Sequence, residues 1–224
     1  IPIGNMLKDE ATLLLTLEER LQEYIRGQDE PIGEIADTIR AAKAGVGNPE
    51  TPLGVFLLVG PSGVGKTETA RMLADTLFGG ERFLTVINMS EYQESHTVAQ
   101  LKGSPPGYVG YGEGGVLTEA VRRQPYSVVL LDEVEKGHAD IMELFYQVFD
   151  KGFMRDGEGR EISFRNTVIM MTSNIGSEMF FDACSGEERP TTDRLREMIH
   201  PLLVGQFQAA LLGRMEVMPF YPLG

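Results

Sequence analysis

The chain has 224 residues, 42% of them hydrophobic and 24% charged, enough apolar content for one globular domain with a sizeable core. Twenty basic residues against 33 acidic ones leave a formal net charge of -13, which repels a phosphate backbone and argues against general nucleic-acid binding. The single cysteine, Cys184, excludes an internal disulfide; with no signal-peptide pattern and no long apolar run, the composition reads as a cytoplasmic protein without a membrane segment.

Amphipathic patterns predict helices over residues 10–25 and 30–44, joined by the turn-like Arg26-Gly27-Gln28-Asp29. Short apolar runs then predict strands at 55–59, 84–88, 127–131, 167–172 and 215–219. Helical patterns separate them at 66–78, 116–123, 139–151 and 194–203. Strands alternating with helices imply an α/β fold: a parallel sheet covered on both faces, with ligands at the carboxyl ends of its strands. The polar stretch 185–192 reads as a mobile surface loop, and the terminal Ile-Pro and Tyr-Pro-Leu-Gly read as the ends of a piece of a larger protein.

GPSGVGKT, residues 60–67, follows the apolar run VFLLV and opens a helical pattern, the spacing and context of a P-loop. Its glycines turn N–H groups toward phosphate oxygens, and the helix N-terminus adds partial positive charge. Lys66 is placed to reach the β- and γ-phosphates of ATP, and the Thr67 hydroxyl to ligate Mg²⁺. VVLLDE, residues 128–133, is a buried strand ending in two acids, a costly arrangement without a cation nearby. Asp132 is expected to orient Mg²⁺, and Glu133 to take a proton from the attacking water.

Other signals are weaker. Asn174, at the end of TVIMMTSN, suits either a turn or a hydrogen bond to water or phosphate. Arg214, in LLGRMEVMPF, reads on its own as a solvated arginine. RDGEGREISF, residues 155–164, suggests a tight turn or a protruding hairpin. His96, His138 and His200 have no metal-ligand spacing. In GYVGYGEGG, residues 107–115, Gly110, Gly112 and Gly115 fit G-x-G-x-x-G, but no sheet strand precedes them. That loop offers an aromatic set among flexible glycines instead.

In this order, GPSGVGKT, LLDE, TSN and LLGR resemble the large subdomain of an AAA+ ATPase. GSPPGYVGYGEGGVLTEAVRRQPYSVVLLDEVEK resembles the second ATPase ring of the Clp unfoldases. The resemblance implies a three-layer αβα P-loop domain with a central five-stranded parallel sheet. It divides the chain into a helical linker segment, 1–25, and a large nucleotide-binding subdomain, 26–224, with the family's small helical subdomain falling beyond residue 223. It also implies ATP and Mg²⁺ as ligands, a homohexamer as the working assembly and a protein as substrate.

Residue by residue, the resemblance assigns adenine-side packing to Ile25 and Gly27. Gly60, Pro61, Ser62, Gly63, Val64, Gly65, Lys66, Thr67 and Glu68 form the phosphate cradle. Asn174 matches the sensor asparagine and Arg214 the arginine finger that reaches a neighbour's ATP. Tyr108 and Val109 match the primary pore loop, and Asp156, Gly157, Glu158, Gly159 and Arg160 the second. IPIGNMLKDE, INMSEYQESHTV, FDKGFMRDGEGREISF and ALLGRMEVMPFYPL look most like the branch serving type VI secretion, whose substrate is the contracted sheath. ClpB-type disaggregases are the nearest alternative, but they usually carry Asn where Gly213 stands. Between residues 177 and 194 there is no hydrophobic-Gly-hydrophobic tripeptide, so no protease partner is expected.

Overall fold

Five of the apolar runs become the strands of one parallel sheet. In the computed structural model, which describes the backbone of residues 3–223 and the side chains from residue 11 onward, they are β1 (Gly54–Val59), β2 (Leu84–Asn88), β3 (Val128–Asp132), β6 (Val168–Ser173) and β7 (Glu216–Pro219). Their spatial order is β2-β3-β6-β1-β7. All neighbours run parallel, with Val59 opposite both Ser173 and Pro219, and Asn88 opposite Asp132.

The central strands β1, β3 and β6 read as continuous apolar runs because both of their faces are covered. Side chains alternate along a strand, so β1 sends Val55, Leu57 and Val59 to one core and Phe56 and Leu58 to the other. The second core is closed by α1 (Ile3–Tyr24), α2 (Asp29–Lys43) and α3 (Lys66–Phe78), through Leu17, Leu21, Ile35 and Leu73. The first is closed by α4 (Val98–Lys102), α5 (Val116–Arg123), α6 (Ala139–Lys151), α7 (Ser177–Ala183), α8 (Thr192–Gln206) and α9 (Ala209–Leu212). A separate antiparallel hairpin, β4 (Phe153–Arg155) and β5 (Glu161–Ser163), realises the turn signal of DGEGR.

Three differences from the sequence-based expectations stand out. Helix α1 begins at Ile3 rather than residue 10, carried by the good helix formers Met6, Leu7 and Lys8. Helices α4, α7 and α9 are too short for a 3.6-residue period to show in the sequence. The polar loop 185–192 is pinned at its far end rather than free: the Tyr221 hydroxyl lies 2.8 Å from the Pro190 carbonyl, and the Arg189 guanidinium stacks 3.5 Å above the Tyr221 ring. Residues 1, 2 and 224 of the two expected segments lie outside the described residues. No helix among the described residues is long and apolar enough to cross a membrane.

Candidate active site

The carboxyl ends of β1, β3 and β6 meet at one cavity of about 410 Å³. Ser62, Gly63, Gly65, Lys66, Thr67, Glu68, Asp132, Glu133, Thr172 and Asn174 line it. Strand β1 passes into the glycine-rich loop and then into the thirteen-residue helix α3, so the helix N-terminus faces the cavity with its partial positive charge. Gly60 has to be glycine: its φ is 149°, and a Cβ there would stand 2.7 Å from the Phe220 carbonyl oxygen.

Lys66 is buried and folded back on the protein. Its Nζ donates to the Gly60 carbonyl at 2.5 Å, the Ser173 carbonyl at 2.9 Å and Asn174 Oδ1 at 2.7 Å. Burial pushes its ammonium down to about 8, against the opposing pull of Glu135, Asp132 and Glu133. Three neutral acceptors thus hold a cation in the wall of the cavity.

The two acids are set by a residue that sequence reading missed. The Thr172 hydroxyl donates to Asp132 Oδ1 and accepts the Glu133 backbone N–H at 3.0 Å. Among the described residues, Glu133 is the only non-glycine residue with positive φ, at 57°. Such a conformation costs about 1–3 kcal/mol and persists where the surroundings over-determine it. Here Thr172 holds the amide, and Lys136 Nζ lies 2.9 Å from Glu133 Oε2. Asn174 comes to the same wall, its backbone N–H donating to Glu135 Oε1 at 3.4 Å.

On the far side of the loop, Ile25 and Gln28 are buried. Gln28 Nε2 donates to the Val64 carbonyl at 3.1 Å and to the Tyr221 carbonyl at 2.8 Å, while its Oε1 accepts the Tyr221 N–H at 2.7 Å. Ile25 and Gly27 thus stand beside the phosphate loop, joined to the chain end through Gln28 and Tyr221, neither of which was singled out from sequence. No signal short of the fold could pair residues 193 positions apart.

Compared with known proteins, residues 51–218 match the model of the AAA domain (Cdc48 subfamily). The chain belongs to this family. It is 57% identical to the chaperone protein ClpB of Yersinia enterocolitica, 54% to the AAA+ ATPase ClpV1 of Pseudomonas aeruginosa and 51% to ClpB of Meiothermus ruber. Each match covers 100% of this chain, but the chain spans only about a quarter of those proteins' lengths. It is therefore an AAA ATPase domain of the ClpB/ClpV type, and membership of the family carries nucleotide binding with it.

The AAA domain does not bring every expected residue to the cavity. Arg214 precedes β7 and pairs with Asp150 at 2.7 Å, in a depression shared with Gly54 and Val55 at the start of β1. It stands one strand length from the phosphate loop, roughly 17–20 Å. Tyr108 and Val109 lie outside the site as well, 69% and 98% exposed. Asp156 forms the hub of the β4–β5 tip: its carboxylate accepts the N–H groups of Glu158 and Arg160 and the Arg160 guanidinium at 2.8 Å. Gly157 N–H reaches across to the Lys102 carbonyl at 3.0 Å, tying the tip to the foot of the Tyr108 loop. His138 caps α6, its ring nitrogen accepting the Asp140 N–H.

Proposed function

We propose that this domain hydrolyses ATP within a homohexameric ring and uses the cycle to draw a polypeptide through the ring's centre. One observation carries the reading: Lys66, Thr67, Asp132, Glu133 and Asn174 line a single cavity, while Arg214 stands at the opposite end of the same sheet. That separation suits an arginine serving the site of an adjacent subunit.

The residues present fit Mg²⁺. Thr67 and Asp132 offer hard oxygen donors beside the loop, and among the described residues no cluster of three His, Cys, Asp or Glu competes as a cage. A small donor set suits an ion that keeps several waters and shares phosphate oxygens. When bound, the ion neutralises charge on those oxygens. Lys66 exchanges its backbone acceptors for phosphate oxygens, and Asn174 orients the attacking water. As the water oxygen bonds to the γ-phosphorus, its proton passes to Glu133 and the bond to the bridging oxygen breaks, releasing ADP and phosphate.

Tyr108 and Val109 would grip the substrate from the primary pore loop, with residues 156–160 as the second loop. The acidic composition and loops poor in positive charge favour a protein over a nucleic acid. The segments resembling the type VI secretion branch make the contracted sheath the proposed substrate. General disaggregation is the second reading, favoured by the 57% identity to ClpB. ATPase stimulation by purified sheath, measured against stimulation by an aggregated model protein, separates the two. Glu133→Gln in the full-length protein should still bind ATP and assemble but stop turning over; undiminished hydrolysis would remove Glu133 from the mechanism.

A further inference from the structure

The residues following Glu133 form one 3-10 turn, Val134–Lys136, whose side chains leave in three directions. Val134 is buried in the core on the α6 side. Glu135 Oε1 receives the Asn174 N–H, and Glu135 Oε2 is also buried. The backbone closes with Lys136 N–H donating to the Glu133 carbonyl at 3.0 Å and Gly137 N–H to the Val134 carbonyl at 3.2 Å. Lys136 therefore springs from a turn fixed at both ends.

From that fixed base its ammonium reaches back three residues to Glu133 Oε2 at 2.9 Å. Both side chains are partly exposed, and ion pairs of that kind contribute little to stability. Geometry gives this one a different role. A general base must lie within hydrogen-bond reach of the proton it removes, and a glutamate free to turn about its side-chain torsions spends most of its time elsewhere. The left-handed backbone at Glu133, held by Thr172, aims the side chain; a partner on the carboxylate is what restrains its far end.

We propose that Lys136 is a positioning residue for ATP hydrolysis, holding the Glu133 carboxylate in the orientation from which it takes the water proton. The inference rests on the assignment of Glu133 as the base. Because Lys136 is not among the residues lining the phosphate cavity, its loss should act on turnover and leave nucleotide affinity alone.

The test is steady-state ATPase of the assembled full-length protein, with binding of a fluorescent ATP analogue measured in parallel. Lys136→Gln should lower kcat about ten- to a hundredfold at unchanged KM and unchanged analogue binding, the scale expected of a small misplacement of a catalytic group. Lys136→Arg, which restores the cation at similar reach, should recover most of the rate. A Lys136→Gln rate equal to or above wild type would overturn the proposal, as would an arginine variant no faster than the glutamine one. A wild-type protein that fails to hydrolyse ATP would instead sink the hydrolysis reading itself.

Discussion

Thr172 shows what a single hydroxyl does in this site. It is the penultimate residue of β6, 3% exposed, where its oxygen serves the last residue of β3 and the one that follows it: it donates to the Asp132 carboxylate and accepts the Glu133 N–H. Asp132 and Glu133 were legible in sequence because an apolar strand ending in two acids is conspicuous. Thr172 was not, because a threonine near the end of a β-branched strand is also ordinary strand chemistry. Thr172→Val keeps the shape and removes both bonds. Bonds to charged groups contribute about 1.5–3 kcal/mol, so kcat should fall roughly ten- to a hundredfold while the fold survives. Measuring kcat together with the thermal midpoint checks this; an unchanged kcat would mean that the acids hold their places without Thr172. Tyr221 carries a similar lesson, since burial and then its bond to Glu30 push its phenol up to about 12, an environment supplied by residues distant in sequence.

Elements were most legible where periodicity and burial agree. All five sheet strands follow from apolar runs, and α3, α5 and α6 begin and end at the expected residues, because their apolar positions recur over two turns or more. What sequence could not show is how one irregular segment leans on another. Gly157, at the tip between β4 and β5, donates to the Lys102 carbonyl, and a Cβ there would lie 2.4 Å from the Ser104 carbonyl oxygen. Arg160 of the same tip lies 4.0 Å from Glu119 on α5, the helix that follows the Tyr108 loop. The two loops therefore share one base. Gly157→Ala cannot be absorbed by rotating a side chain, since the atom it meets is backbone. The variant should keep basal ATPase within about twofold, as it lies apart from the phosphate cavity, and lose most translocation of a fluorescent protein substrate. Full translocation at normal ATPase would show that the two loops work independently.

At the scale of the whole molecule, the sheet keeps apart two sets of residues that the proposed reaction needs. Thr67, Asp132, Glu133 and Asn174 gather at the carboxyl ends of the strands, while Arg214 waits at the opposite end, 49% exposed and paired only with Asp150 among the described residues. A flexible side chain spans a few ångströms, not the roughly 17–20 Å length of a strand, so a finger role for Arg214 requires a second subunit. An arginine finger contributes about 10³ to 10⁵ in rate; Arg214→Ala in the full-length protein should lose activity on that scale, as Glu133→Gln should. The arrangement makes a sharper prediction for the two variants together. Mixed rings contain interfaces in which an Arg214→Ala subunit supplies the intact Glu133 site and its Glu133→Gln neighbour supplies the intact Arg214. Combining two inactive proteins should therefore restore measurable hydrolysis, rising with the fraction of mixed interfaces. Absence of any recovery in rings verified to be mixed would mean that Arg214 does not act across the subunit boundary.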